Sequence, residues 1–237
     1  MRKTIAIAIS MIFTLALQAQ GLIGAWEANN TTKNGDQLKH ILTFTEDFYV
    51  STFYKATSGE FVSTNGGKYS FEDSILTEHI EFHTAKPEVV GTELKHKFSI
   101  KDDELEFIES GQVFKKIDDG APGKLQGAWL MSGRIRDGET LLRDTSRPRK
   151  TMKILSGTRF QWIAYNTETK EFKGTGGGTY TTSNGTYVEH IKFFSKDNSR
   201  VGDSLQFKYE LVDGNWHHTG LSSKGDPIHE IWSARGK

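Results

Sequence analysis

The 237-residue sequence has no cysteine, only four prolines and, from Lys3 to Gly133, not one arginine. Without thiols there is no disulfide framework, no thiol catalysis, no cysteine-ligated metal and no lipidated N-terminal cysteine, so the fold must rest on its core. The longest apolar run, Ile5 to Leu17, is shorter than the roughly 20 residues a membrane span requires. Preceded by Arg2 and Lys3 and followed by small and polar residues, it reads as a secretory signal cut near Ala19 or Gln20. The mature chain is therefore expected to be periplasmic or secreted, with no membrane insertion and no lipid anchor. No long lysine run points to nucleic acid. The eight histidines show no HxH or HExxH spacing, so no metal site and no cofactor are expected.

What the chain does have is glycine, 24 residues of it, with abundant threonine and aromatics, a composition that favours strands over helices. Net charge is zero, yet the halves differ. Residues 22–121 carry 10 Lys+Arg against 18 Asp+Glu, a balance of −8, and residues 122–237 carry 18 against 12, a balance of +6. The basic half would draw anions. Six of the nine arginines fall between Ser132 and Trp162: Arg134, Arg136, Arg143, Arg147, Arg149 and Arg159.

The chain is one unit used twice. LIGAW at Leu22 to Trp26 recurs as LQGAW at Leu125 to Trp129, and Tyr54 to Phe82 matches Tyr165 to Phe193 at a constant offset of 111. The tryptophans are offset by only 103, so the second unit carries eight extra residues, in the arginine stretch. Runs such as Leu76 to Phe82 and Gln206 to Leu211 alternate apolar and polar residues, the period of strands. Asn34-Gly35, Ser58-Gly59, Asn65-Gly66, Asp137-Gly138, Asn184-Gly185 and Asp213-Gly214 punctuate them as turns. About seven or eight strands per unit, opened by Gly-x-Trp, predict an all-β protein of two small antiparallel barrels in tandem, each closed on itself. The expected division is a signal at 1–20, a first barrel at 21–117, a linker at 118–123 and a second barrel, the active half, at 124–237.

The GAW openings, "FVSTNGGKYSF" and "GTGGGTYTT" before the "EHI" strands, and "RDTSRPRKTMKILSGTRFQWIAYN" resemble a family of exported, lipocalin-like tandem barrels of polysaccharide-degrading Gram-negative bacteria, often labelled only as membrane or secreted proteins. The resemblance covers essentially the whole mature chain. It implies a periplasmic or secreted protein acting alongside glycan breakdown, and systems of this kind include lyases and dehydratases for uronic-acid sugars. The fold itself hosts binders and enzymes alike.

Arginines beside aromatics suit an acidic sugar, whose ring stacks while its carboxylate or sulfate is gripped. Arg134, Arg143, Arg147, Arg149, Lys150, Arg159 and Trp162 are the expected substrate-binding residues; the alternative is a solvated basic loop. For catalysis the candidates are Tyr165, Tyr180, His190 and His218. His190 follows Glu189 as His79 follows Glu78, so an architectural role competes, and strand alternation turns His190 away from the face of Glu189 and Ile191. Of His217 and His218, alternation turns one inward, where a near-neutral imidazole could serve as a general base. The tyrosines compete with packing roles. The glycine run from Gly174 to Gly178 precedes a strand, so it is a bulge or hairpin feature and no nucleotide loop. Two functions follow. One is a carbon–oxygen lyase of the dehydratase type on uronic-acid, possibly sulfated, oligosaccharides, abstracting the proton beside the carboxylate. The other is a non-catalytic binder of an anionic sugar or other small ligand. A glycosidase is weaker, because its paired carboxylates have no distinct candidate.

Overall fold

The computed structural model describes residues 21–121, 123–222 and 224–236; the expected secretory signal at 1–20 lies outside the described residues. Eight strands form a closed antiparallel barrel in simple up-and-down order: β1 (Gly24–Thr31), β2 (Gln37–Phe44), β3 (Phe48–Lys55), β4 (Phe61–Glu72), β5 (Ile75–His83), β6 (Glu93–Lys101), β7 (Glu104–Phe107) and β8 (Gln112–Asp118). The second half repeats it with β9 (Gly127–Arg136), β11 (Arg149–Leu155), β12 (Arg159–Asn166), β13 (Phe172–Ser183), β14 (Thr186–Phe194), β15 (Ser204–Val212), β16 (Asn215–Leu221) and β17 (Pro227–Ala234), which closes back on β9. Closure removes the open edges that two eight-stranded sheets would otherwise have. The protein is thus all-β, two barrels in tandem. The eight additional residues of the second unit build one more strand, β10 (Glu139–Leu142), paired with the far end of β9 through an Asp137-Gly138 turn in which both residues take positive φ, 53° and 81°.

Each barrel opens with the same anchor. Trp26 donates its indole N–H to the Leu22 carbonyl at 2.9 Å, and Trp129 to the Leu125 carbonyl at 2.8 Å. Both barrels also carry a bulge at the same place, between Gly66 and Gly67 opposite Glu81, and between Gly177 and Gly178 opposite Lys192. A Cβ at Gly67 or Gly178 would collide with the carbonyl of His79 or His190, which is why the sequence places glycine there. The extra residue re-aims its side chain outward, as bulges do.

Those bulges face the contact between the barrels, which has pseudo-two-fold symmetry. Phe61 stacks on its own repeat mate Phe172 at 5.9 Å and 11°, marking the axis. On either side Tyr54 packs on Phe193 at 5.1 Å and Phe82 on Tyr165 at 4.8 Å, the same contact twice. The Gln161 side chain, buried at the centre, bonds Thr52, Thr64 and Thr175 at 2.7, 3.2 and 2.9 Å. Asp118, the last residue of β8, accepts from Ser156 Oγ, Gly157 N, Thr158 N and Thr158 Oγ1 at 2.7, 3.0, 2.5 and 2.8 Å. Burial opposes its ionisation, and hydrogen bonds from Ser156 and Thr158 outweigh that, holding its carboxyl below the ordinary value.

Candidate functional site

Alternation along β11, β14, β16 and β17 turns Lys153, Tyr187, Glu189, Trp216, His218, Glu230 and Trp232 into the second barrel. Lys153 and Glu189 are each 4% exposed and pair at 2.8 Å. The Tyr187 hydroxyl donates to the same Glu189 oxygen at 3.0 Å. The Lys153 ammonium lies 5.3, 5.0 and 5.1 Å from the ring centres of Tyr187, Trp216 and Trp232, an aromatic box around a cation. Glu230 takes the Trp232 indole N–H at 3.1 Å, and burial raises its carboxyl above the ordinary value, Lys153 opposing. About a quarter of its side chain, 24%, meets solvent.

His218 is stacked on Trp216 at 5.2 Å and 8°. Burial and then the Lys153 charge hold its pKa well below the ordinary 6.5, so the ring is neutral. Its Nδ1 faces the Lys153 ammonium at 3.4 Å and must accept, which assigns the proton to Nε2. Among the described residues, His218 Nε2 and Trp216 Nε1 are buried without a hydrogen-bond partner. Both are N–H donors, side by side. Buried donors are nearly always satisfied, so this pair calls for an acceptor oxygen, from a buried water or from a ligand.

The residues expected from sequence are spread over the molecule. His218 is in the lumen. Trp162 is half-buried and packs against the same core beside Phe194, at 5.5 Å. Tyr165 is buried between the barrels, donating to Glu81 at 2.5 Å, and burial followed by the Glu81 charge raises its pKa well above 10.0. Tyr180 is buried with its hydroxyl on the Ser156 carbonyl at 2.6 Å. His190 lies on the outer face with Ser204 at 2.8 Å. Arg134, Arg143, Arg147 and Arg149 are exposed, Arg147 beside Asp144 at 3.5 Å, and the Lys150 ammonium caps the Thr145 and Arg147 carbonyls at 2.9 and 3.0 Å. Arg159 is at the opposite end of β12 from the Arg149 pairing, seven residues or about 23 Å along the strand. The structure therefore does not bring these groups to one centre. Lys153, Tyr187, Glu189, Trp216, Glu230 and Trp232 were not expected. The missed signal is the departure of repeat two from repeat one at inward positions, where Leu42, Leu76, Leu105 and Phe107 become Lys153, Tyr187, Trp216 and His218.

Among the described residues there is no cluster of three or more His, Asp or Glu suited to a metal ion, and no helix is long and apolar enough to cross a membrane.

A family described as "Domain of unknown function (DUF4488)" matches the chain over residues 21–115 and 124–234. A solved structure of a lipocalin-like protein from Bacteroides uniformis ATCC 8492 is similar at 15% identity with a TM-score of 0.34, over 48% of this chain and 100% of that one. No curated protein matches. With both of its barrels matched, the chain belongs to the DUF4488 family.

Proposed function

We propose that the protein is an exported binder of a small oxygen-rich ligand, an acidic sugar or short acidic oligosaccharide, and that the second barrel is the half that holds it. The observation that carries this reading is the pair of adjacent buried donors, Trp216 Nε1 and His218 Nε2, without an acceptor among the described residues. A closed eight-stranded barrel is wide enough either to be filled by side chains or to hold one small ligand. Here the lumen adds a polar wall for a sugar acid: two N–H donors for carboxylate or hydroxyl oxygens beside the buried Lys153–Glu189 pair. Glu230 and half-buried Trp162 mark the side from which it enters.

Proton abstraction from a uronate would require, beyond binding, a base beside the held carboxylate; the lone pair of His218 is on Nδ1, turned to Lys153, so the lumen favours binding over abstraction. Export to the periplasm or beyond, in the setting of glycan breakdown, belongs to the same proposal and is supported by the pattern of residues 1–20.

Calorimetric titration with glucuronate, galacturonate and their oligomers tests it, with ultraviolet absorbance followed in parallel for an unsaturated product. Saturable binding that is lost in Trp216→Phe supports the reading, and product formation would extend it to a lyase. A protein that binds none of these, or binds them equally well as Trp216→Phe, would leave the two donors to a buried water and overturn it.

A further inference from the structure

The pseudo-two-fold contact creates the same niche twice, and the two copies are filled differently. In one, the bulged Glu81 carboxylate receives Arg235 Nη2 on both oxygens, at 2.7 and 2.8 Å, and the Tyr165 hydroxyl at 2.5 Å. Arg235 stacks over Phe48 at 4.2 Å, and Lys150 is close enough to feel both Arg235 and Glu81. The niche is thus a carboxylate site that the protein occupies with its own side chain.

In the other copy the repeat offset of 111 puts Tyr54 in place of Tyr165, Lys39 in place of Lys150, Arg159 in place of Phe48 and Lys192 in place of Glu81. The carboxylate has become a cation, and nothing plugs the niche. A cleft of about 350 Å³ opens there, lined by Glu27, Lys39, Tyr54, Arg159, Lys192 and Phe193 among others. Glu27 neutralises Lys39 at 2.5 Å. Among the described residues the Arg159 guanidinium, the Lys192 ammonium and the Tyr54 hydroxyl have no side-chain partner, while the Tyr54 ring is held on Phe193. Burial and then the Glu27 charge push the Tyr54 hydroxyl up to about 12, so it stays a protonated donor.

We propose that this cleft between the barrels is a second ligand site, taking the carboxylate of a small organic acid in the position that Glu81 fills in the twin niche. The carboxylate accepts from Tyr54 and Arg159 and lies beside Lys192, and its apolar or ring body lies along Tyr54, Phe193 and Ile41. The volume is at the lower end of small-molecule sites. An arginine fork can match a carboxylate two-pronged; in the twin niche Arg235 reaches both Glu81 oxygens through Nη2 and the Tyr165 hydroxyl through Nη1. This site is on the outer wall of the second barrel, separate from the lumen of Lys153 and Trp216, so the two stand or fall independently.

Amide-resolved NMR of the full chain, titrated with glucuronate and with benzoate against glucose as the uncharged control, tests it. Saturable shifts at Tyr54, Gly178 and Thr179 are expected with the acids and not with glucose. Arg159→Ala should weaken them about tenfold, the loss of one charge-assisted pair. Lys192→Glu should abolish them, because it returns the missing carboxylate to the niche, and should raise the melting temperature by the new pair with Arg159. Trp216→Phe should leave them unchanged. No saturable shift at these amides with either acid, or shifts equal in wild type, Arg159→Ala and Lys192→Glu, would overturn the proposal.

Discussion

The two barrels have one backbone plan and opposite interiors. In the first, Leu42, Leu76, Leu105 and Phe114 are buried around a single carboxylate, Glu78, which accepts from Tyr49 at 2.7 Å and has His96 no nearer than 3.8 Å. In the second, the equivalent carboxylate Glu189 is paired with Lys153, and the leucines have become tyrosine, tryptophan and lysine. A buried carboxylate without a cation is kept neutral by its surroundings; one with a buried ammonium stays in an ion pair. The first barrel is therefore a core that tolerates one polar group, and the second is a polar seat that the aromatic rings enclose.

The largest effect that should separate them is at the shared glutamate. Glu189→Leu strands the Lys153 charge and should cost about 3–5 kcal/mol in denaturant unfolding, whereas Glu78→Leu leaves no charge behind and should cost far less. Equal losses at the two positions would erase the contrast.

The next is a pH effect confined to the first barrel. Burial, against the hydrogen bond from Tyr49, pushes the Glu78 carboxyl up to about 7 from an ordinary 4.5. The native state then binds this proton more tightly than the unfolded chain. Its contribution is whole below pH 4.5 and is lost as pH rises through about 7, an effect of about 3 kcal/mol. Glu78→Gln should remove this fall and leave stability rising with pH up to about 6.5 through His40; a variant that keeps the wild-type slope would assign the slope elsewhere. On the acid side, burial holds His40 down to about 3 from 6.5, so its contribution is present above 6.5 and fades as pH falls towards 3.

A third variant asks whether the barrels unfold as one. Asp118 belongs to the first barrel and bonds only the Ser156 to Thr158 turn of the second, apart from its own Gly120. Asp118→Ala should cost about 1–3 kcal/mol, the price of several orphaned donors, and should lower cooperativity between the halves in calorimetry. The smallest effect belongs to Arg147→Ala with Arg149→Ala. Both side chains are exposed, so stability should stay within about 0.5 kcal/mol; a large loss would mean that the arginine stretch is part of the framework.

The repeat made the architecture legible. Recurrence of GAW at an offset of 103, and of the glycine pairs and the EHI strands at 111, reads as two copies of one barrel, and alternation turns His190 away from Glu189. The site is less legible because charge density along the sequence does not mark it. The arginines cluster in sequence, yet a strand separates neighbours by about 3.3 Å per residue, so Arg149 and Arg159 end far apart. The polar lumen, by contrast, is dispersed over β11, β14, β16 and β17, and no local window contains it. Only closure of the barrel brings Lys153 to Glu189 across 36 residues and to His218 across 65. What could have revealed it is a subtraction of one repeat from the other at inward positions.

The most direct test of the polar-seat account is the NMR signal of the Trp216 indole N–H during titration with glucuronate. A progressive downfield shift with slowed solvent exchange, reaching saturation with the calorimetric curve, is predicted. A signal that stays where it is while the protein saturates would contradict the assignment of the second lumen as the ligand seat.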